Sequence, residues 1–174
     1  MDGTTLSRLL DPQLVHLPAE AWWLPGILLL ILGSGAAYDA VRGRVPDGII
    51  LAGSVVALGT LGLYADWPEA SHHLLWGLGA SLLIWGVNQL YYRFLKHDAI
   101  GMGDAKWTLL AVIGFGWMPA AFAWIVGAWL GALWLTGAWL FAKARGRKNF
   151  RARVHFTPFL FLGLLAGLYI LTVR

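Results

Sequence analysis

The sequence predicts an all-α membrane protein, a bundle of six transmembrane helices with its N-terminus outside. Three observations predict it. Of 174 residues, 59% are hydrophobic and only 13% charged, with 11 tryptophans. A soluble domain of this length has too little interior for that much apolar surface, so lipid is the solvent that accommodates it. Six apolar runs can be marked, most of them near the ~20 residues that cross ~30 Å of hydrocarbon. The basic residues fall on one side of those runs.

The runs lie at roughly 22–38, 48–65, 73–92, 104–118, 119–141 and 156–173, and each is read as a helix because backbone groups in lipid must bond within their own segment. A membrane barrel needs alternating strands of about ten residues, and none is visible. Residues 1–21 carry Asp2, Arg8, Asp11 and Glu20 without a basic start leading straight into an apolar core. They are read as an extracytoplasmic segment and not as a removable signal, ahead of a membrane domain over 22–174. The fourth and fifth runs abut, and "GFGWMP" (Gly114 to Pro119) divides them, because Pro119 restricts its predecessor and suits the start of a helix.

With the N-terminus outside, the cytoplasmic segments carry Arg42, Arg44, Arg93, Lys96 and Lys106. The last loop, "KARGRKNFRAR", adds Lys143, Arg145, Arg147, Lys148, Arg151 and Arg153. Eleven of the thirteen basic residues are then inside, and only Arg8 and Arg174 outside. The formal charge of +4 therefore belongs to one membrane face, where it attracts anionic headgroups, and no nucleic-acid partner is expected. Trp22, Trp23, Trp67 and Trp117 fall at outer boundaries as an aromatic belt would. Trp124, Trp129, Trp134 and Trp139 recur every five residues and are read as lipid-facing bulk. Gly127/Gly131 and Gly163/Gly167 are small-xxx-small pairs that permit close helix packing. There is no cysteine, so disulfides and thiolate metal sites are excluded. The five histidines offer only the adjacent His72-His73 pair, whose side chains diverge on a helix, so no metal or cofactor is expected.

Two acids stand at equivalent depths. Asp39 follows the first run in "AAYDAVRGRVPDG", and Asp104 opens the fourth in "GMGDAK". Acids at the membrane border are costly when desolvated and are functional candidates for that reason. Asp104 also reads as a plain N-cap, and Asp39 as a solvated acid near Arg42 and Arg44. At a helix C-terminus, however, the dipole disfavours the charge of Asp39. Brought together, two carboxylates share a proton; one deprotonates a water while the other polarises a peptide carbonyl. Gly101 and Gly103 would let a neighbouring backbone approach the motif closely.

These residues carry a resemblance. In order along the chain, "DAVRGRVPDG", "GMGDAK" and "HFTPFLFLG" are similar to three elements of the type IV prepilin peptidases, membrane aspartyl proteases with a Gly-x-Gly-Asp motif. The resemblance covers most of the chain. It implies Asp39 and Asp104 as the catalytic pair in an active site at the cytoplasmic membrane border. Gly101 and Gly103 would shape the motif, with Lys106 as its following lysine and Pro158 as the proline of the last segment. The implied substrate is a pilin-like precursor, cut between its leader and its apolar helix in a bacterial inner membrane. Val45-Pro46-Asp47 stands for the family's Ile-Pro-Asn, and Asp47 reads as a turn or helix cap. Thr157 stands where the family often has glycine. The methyltransferase region and four-cysteine motif of larger members are absent, so only peptidase activity is implied, as in the short enzymes of tight-adherence pilus systems. Asp98 reads as a solvated loop acid. Two other classes stay open: a presenilin- or signal-peptide-peptidase-like protease, for which Tyr38-Asp39 fits but a Pro-Ala-Leu motif is missing, and a non-catalytic transport or assembly subunit.

Overall fold

The computed structural model describes residues 23–64, 67–96, 100–146 and 155–173. Six helices run through them: α1 (Trp23–Arg42), α2 (Asp47–Tyr64), α3 (Trp67–Leu95), α4 (Met102–Phe115), α5 (Trp117–Ala144) and α6 (Thr157–Thr172). No strand occurs among the described residues. The segment 1–21, Trp22, His97, Asp98 and the basic residues Arg147, Lys148, Arg151 and Arg153 lie outside them.

Three helices, α1, α2 and α5, are long and apolar enough to cross a membrane. The 29 residues of α3 are diluted by Glu69, His72, His73, Asn88 and Arg93. The apolar α6 has 16 residues. With only 14 residues, α4 rises about 21 Å at ~1.5 Å per residue, less than the hydrocarbon thickness.

That short helix is the hub of the bundle. Asp104, Ala105, Trp107, Thr108 and the whole run Leu110–Phe115 are buried, and α4 packs against every one of the other five helices. A helix enclosed on all sides needs no polar face, and apart from its first turn and Thr108 this one has almost none. Trp107 is its largest buried side chain. Burial obliges the indole N–H to find an acceptor, and it donates to the Leu32 carbonyl of α1 at 3.2 Å. Leu24, Leu28 and Leu32 of α1, Ile50 and Ala57 of α2, and Leu160 and Leu164 of α6 complete the core around α4.

Between α5 and α6 the packing depends on missing side chains. A Cβ placed on Gly163 would lie 2.5 Å from the Ala123 carbonyl oxygen, and one on Gly127 would lie 3.0 Å from that of Phe159. The small-residue pairs of the sequence thus mark a real helix interface, where close approach substitutes for the hydrophobic drive that lipid removes.

Two expectations shift. The fourth and fifth runs divide at Gly116, three residues before Pro119. Its φ of 86° lies in the left-handed region, and its N–H closes on the Val112 carbonyl at 2.9 Å. Pro119 instead occupies the first turn of α5, where its lost N–H has no partner to miss. Nor is Trp124 lipid-facing bulk. A five-residue step turns about 140° on a helix, so one of the four tryptophans meets the bundle while Trp129, Trp134 and Trp139 stay outside. Trp124 donates to Thr108 Oγ1 at 3.0 Å and tilts against Phe156 with ring centroids 5.4 Å apart.

Gly163→Ala is therefore expected to lower the thermal unfolding midpoint, at an overpacking cost of about 1–3 kcal/mol. Gly137→Ala, on the same α5 but with open space at its Cβ, should not lower the midpoint and gains the helix preference of alanine over glycine, about 0.5–1 kcal/mol.

Candidate active site

The site begins with a helix that has no side chain to cap it. Gly101 is the N-cap of α4, in extended conformation at φ −70° and ψ 146°. Asp104, three residues on, supplies what glycine lacks. Its Oδ2 accepts the Gly101 N–H at 3.2 Å, while its own N–H donates to the Gly101 carbonyl at 3.1 Å. This is the acidic half of a capping box, at a helix end whose dipole favours an anion. The sequence reading of Asp104 as N-cap is corrected by one turn: Gly101 holds that position.

The other carboxylate oxygen leaves the helix. Oδ1 accepts the Thr157 hydroxyl at 2.7 Å, from the first residue of α6. Asp104 is 5% exposed and Thr157 is fully buried. On the backbone side, Thr108 Oγ1 donates to the Asp104 carbonyl at 2.7 Å and itself receives the Trp124 indole N–H.

Asp39 stands in the last turn of α1 and is 6% exposed. Its carbonyl accepts the N–H of Gly43 at 2.7 Å, and Gly43 ends the helix in a left-handed conformation, φ 70°. Burial removes the reading of Asp39 as a solvated acid. The neighbouring cation turns elsewhere, with Arg42 over the Tyr38 ring at 5.9 Å from its centroid. Among the described residues Asp39 and Asp104 are the two buried carboxylates, and they interact electrostatically. The fold thus brings the two acids singled out in the sequence into one region from different helices.

The two motif glycines separate in role. A Cβ on Gly103 would fall 3.1 Å from Val45 Cγ2 and 3.3 Å from its backbone nitrogen, so Gly103 lets the buried Val45 segment lie against α4. A Cβ on Gly101 would meet Asp104 Oδ2 at 3.3 Å, so that glycine keeps the carboxylate uncrowded. Lys106 forms an ion pair with Asp47, the first residue of α2. The carboxylate read as a turn or cap therefore bridges two helices at an exposed rim, where such pairs are worth about 0–1 kcal/mol. Pro158 sits in the first turn of α6, where proline sacrifices no hydrogen bond.

Several participants escape motif reading. Thr157 was visible only as a departure from glycine. His155 lies against Gly43, where a Cβ would come within 2.7 Å of its Cε1. Asn88 Oδ1 accepts the Ile100 N–H at 3.0 Å and so anchors the approach to Gly101 from α3. Beside it, Trp85, Asn88, Ile100, Gly101 and Met102 line a recess of about 10 Å³, the size of one water. Among the described residues no three His, Asp or Glu side chains cluster as metal ligands would.

In comparisons with known proteins, no family model, no curated protein and no solved structure matches the chain.

What this arrangement can do chemically follows from the two acids. A pair of buried carboxylates holding one proton between them offers a base and an acid in one place, and needs no further group to move protons.

Gly43→Ala should destabilise the fold. A left-handed backbone costs a side-chain-bearing residue about 1–2 kcal/mol, and the new methyl also strikes His155. In thermal unfolding, Gly43→Ala/His155→Ala should recover the clash and retain the backbone cost. Full recovery would show that His155 alone requires the glycine.

Proposed function

We propose that the chain is a membrane aspartyl endopeptidase of the prepilin-peptidase type, cutting pilin-like precursors between leader and apolar helix. The observation that carries this reading is that Asp39, in the last turn of α1, and Asp104, in the first turn of α4, are both buried and near enough for the charge of one to act on the other. A structural subunit has little use for two desolvated like charges. A hydrolase does.

In this reading all six helices enter the bilayer, with the N-terminus outside and the acid pair toward the cytoplasm of a bacterial inner membrane. The one-sided distribution of basic residues supports that orientation. The length of α4 then sets the depth. Counted from the outer boundary near Trp117, its ~21 Å stops about 9 Å short of the inner edge of a ~30 Å core. The rim formed by Arg42, Arg44, Asp47 and Lys106 makes a polar approach to that recess. A bond just before an apolar helix lies near that inner edge, which suits a leader peptide entering from the cytoplasm.

The chemistry balances on the two acids. The ionised carboxylate takes a proton from water as the oxygen attacks the scissile carbonyl carbon. The protonated carboxyl gives its proton to the carbonyl oxygen, forming a tetrahedral diol. Collapse of the diol breaks the C–N bond, the amine leaves with a proton from the first acid, and a diol proton returns to the second. No cofactor enters this sequence.

The test is cleavage of a co-expressed pilin-like precursor, followed by gel shift, with wild type, Asp39→Asn and Asp104→Asn. Wild type should cleave. Both variants should accumulate in the membrane and be slower by about 10²- to 10⁴-fold, the usual worth of a positioned acid or base. Wild-type rates from either variant would leave a non-catalytic membrane subunit as the better description.

A further inference from the structure

A carboxylate that must aim a lone pair at water has to be held against rotation, and the fold treats its two acids differently in this respect. Asp39 makes no side-chain hydrogen bond or ion pair among the described residues. Asp104 accepts two hydrogen bonds, one on each oxygen. The first, from Gly101, is local and belongs to any acid in the third position of a helix. It constrains one oxygen only. The second comes from α6, and its donor is fully buried.

We infer that Thr157 is the positioning residue of the acid pair, its hydroxyl fixing the plane of the Asp104 carboxylate. An ionised carboxylate offers about four acceptor sites. With one taken on each oxygen, one remains on each for Asp39 and for water.

The donor is itself held firmly. Thr157 opens α6, Pro158 fixes the next backbone torsion, and the Phe156 carbonyl receives the N–H groups of Phe159 and Leu160. Phe156 packs on the Trp124 ring, Trp124 donates to Thr108, and Thr108 donates to the Asp104 carbonyl. The contacts close into a ring that starts and ends at Asp104: Thr157, its neighbour Phe156, Trp124 and Thr108. Two elements, α5 and α6, thereby set the orientation of an acid carried by a third.

This role rests on the peptidase reading, and its test is arranged so that the two can fail separately. Initial rates of precursor cleavage are measured for purified wild type, Thr157→Val, Thr157→Ala, Thr157→Ser and Asp104→Asn, with thermal unfolding of each. Valine keeps the shape of threonine and removes the donor. Alanine removes it with less steric demand, and decides the matter if the valine variant does not accumulate. Loss of the hydroxyl should lower kcat by about 10- to 100-fold, the scale of a misplaced catalytic group, with KM within about twofold. Thr157→Ser should stay within about threefold of wild type. Wild-type kcat in the valine or alanine variant overturns the positioning role and leaves the peptidase intact. So does a serine variant as slow as valine, because packing and not the hydroxyl would then matter. Failure of wild type to cleave, or cleavage by Asp104→Asn, overturns the peptidase reading and this role with it.

Discussion

The hydrogen bond from Thr157 to Asp104 is the constraint on which the site depends. A carboxylate inside a helical bundle is costly while its oxygens lack donors, and at the start of α4 the backbone offers Asp104 one nearby donor. The second had to come from another helix. Supplying it draws the first turn of α6 onto the first turn of α4, and this brings His155 against Gly43 and so toward the end of α1. The geometry around the two acids is thus a consequence of satisfying one of them.

The same logic explains why the central helix is the short one. In lipid, an apolar helix gains little by leaving the solvent for its neighbours, and association comes from close packing and hydrogen bonds. Here α4 gathers both, with Trp107 bonded to α1, Thr108 to Trp124 of α5, and its apolar turns enclosed by the longer helices. Glycines set how near those helices come: Gly103 under Val45, and Gly127 and Gly163 between α5 and α6. At the start of α4, Gly101 and Met102 are exposed, while Asp104 and the run Leu110–Phe115 are buried by the longer helices.

Much of the architecture was legible in the sequence. The apolar runs located all six helices, because hydropathy over long windows survives errors at the ends. Asp39 and Asp104 stood out because buried carboxylates are rare enough in apolar surroundings to be noticed. What escaped was tertiary. Nothing local distinguishes Trp124 from Trp129, and only the direction of α4 decides which one bonds. Asp47 looked like a cap because its partner, Lys106, is distant in sequence. Thr157 appeared as a flaw in a motif, whereas its hydroxyl is the donor that Asp104 lacks. The break at Gly116 was placed late because proline is a conspicuous signal, while a left-handed glycine reveals itself only in the backbone torsion.

The central claim is that the side chains at positions 39 and 104 meet in the membrane. The chain has no native cysteine, so a pair introduced as Asp39→Cys and Asp104→Cys would be its only thiols. Treating native membranes with a short thiol-to-thiol cross-linker and mapping the peptides by mass spectrometry measures proximity directly, with no reliance on activity. The account predicts a linked 39–104 peptide as the main product, formed within one chain and lost when the membranes are denatured before treatment. Two singly modified cysteines, with no linked peptide under native conditions, would contradict it.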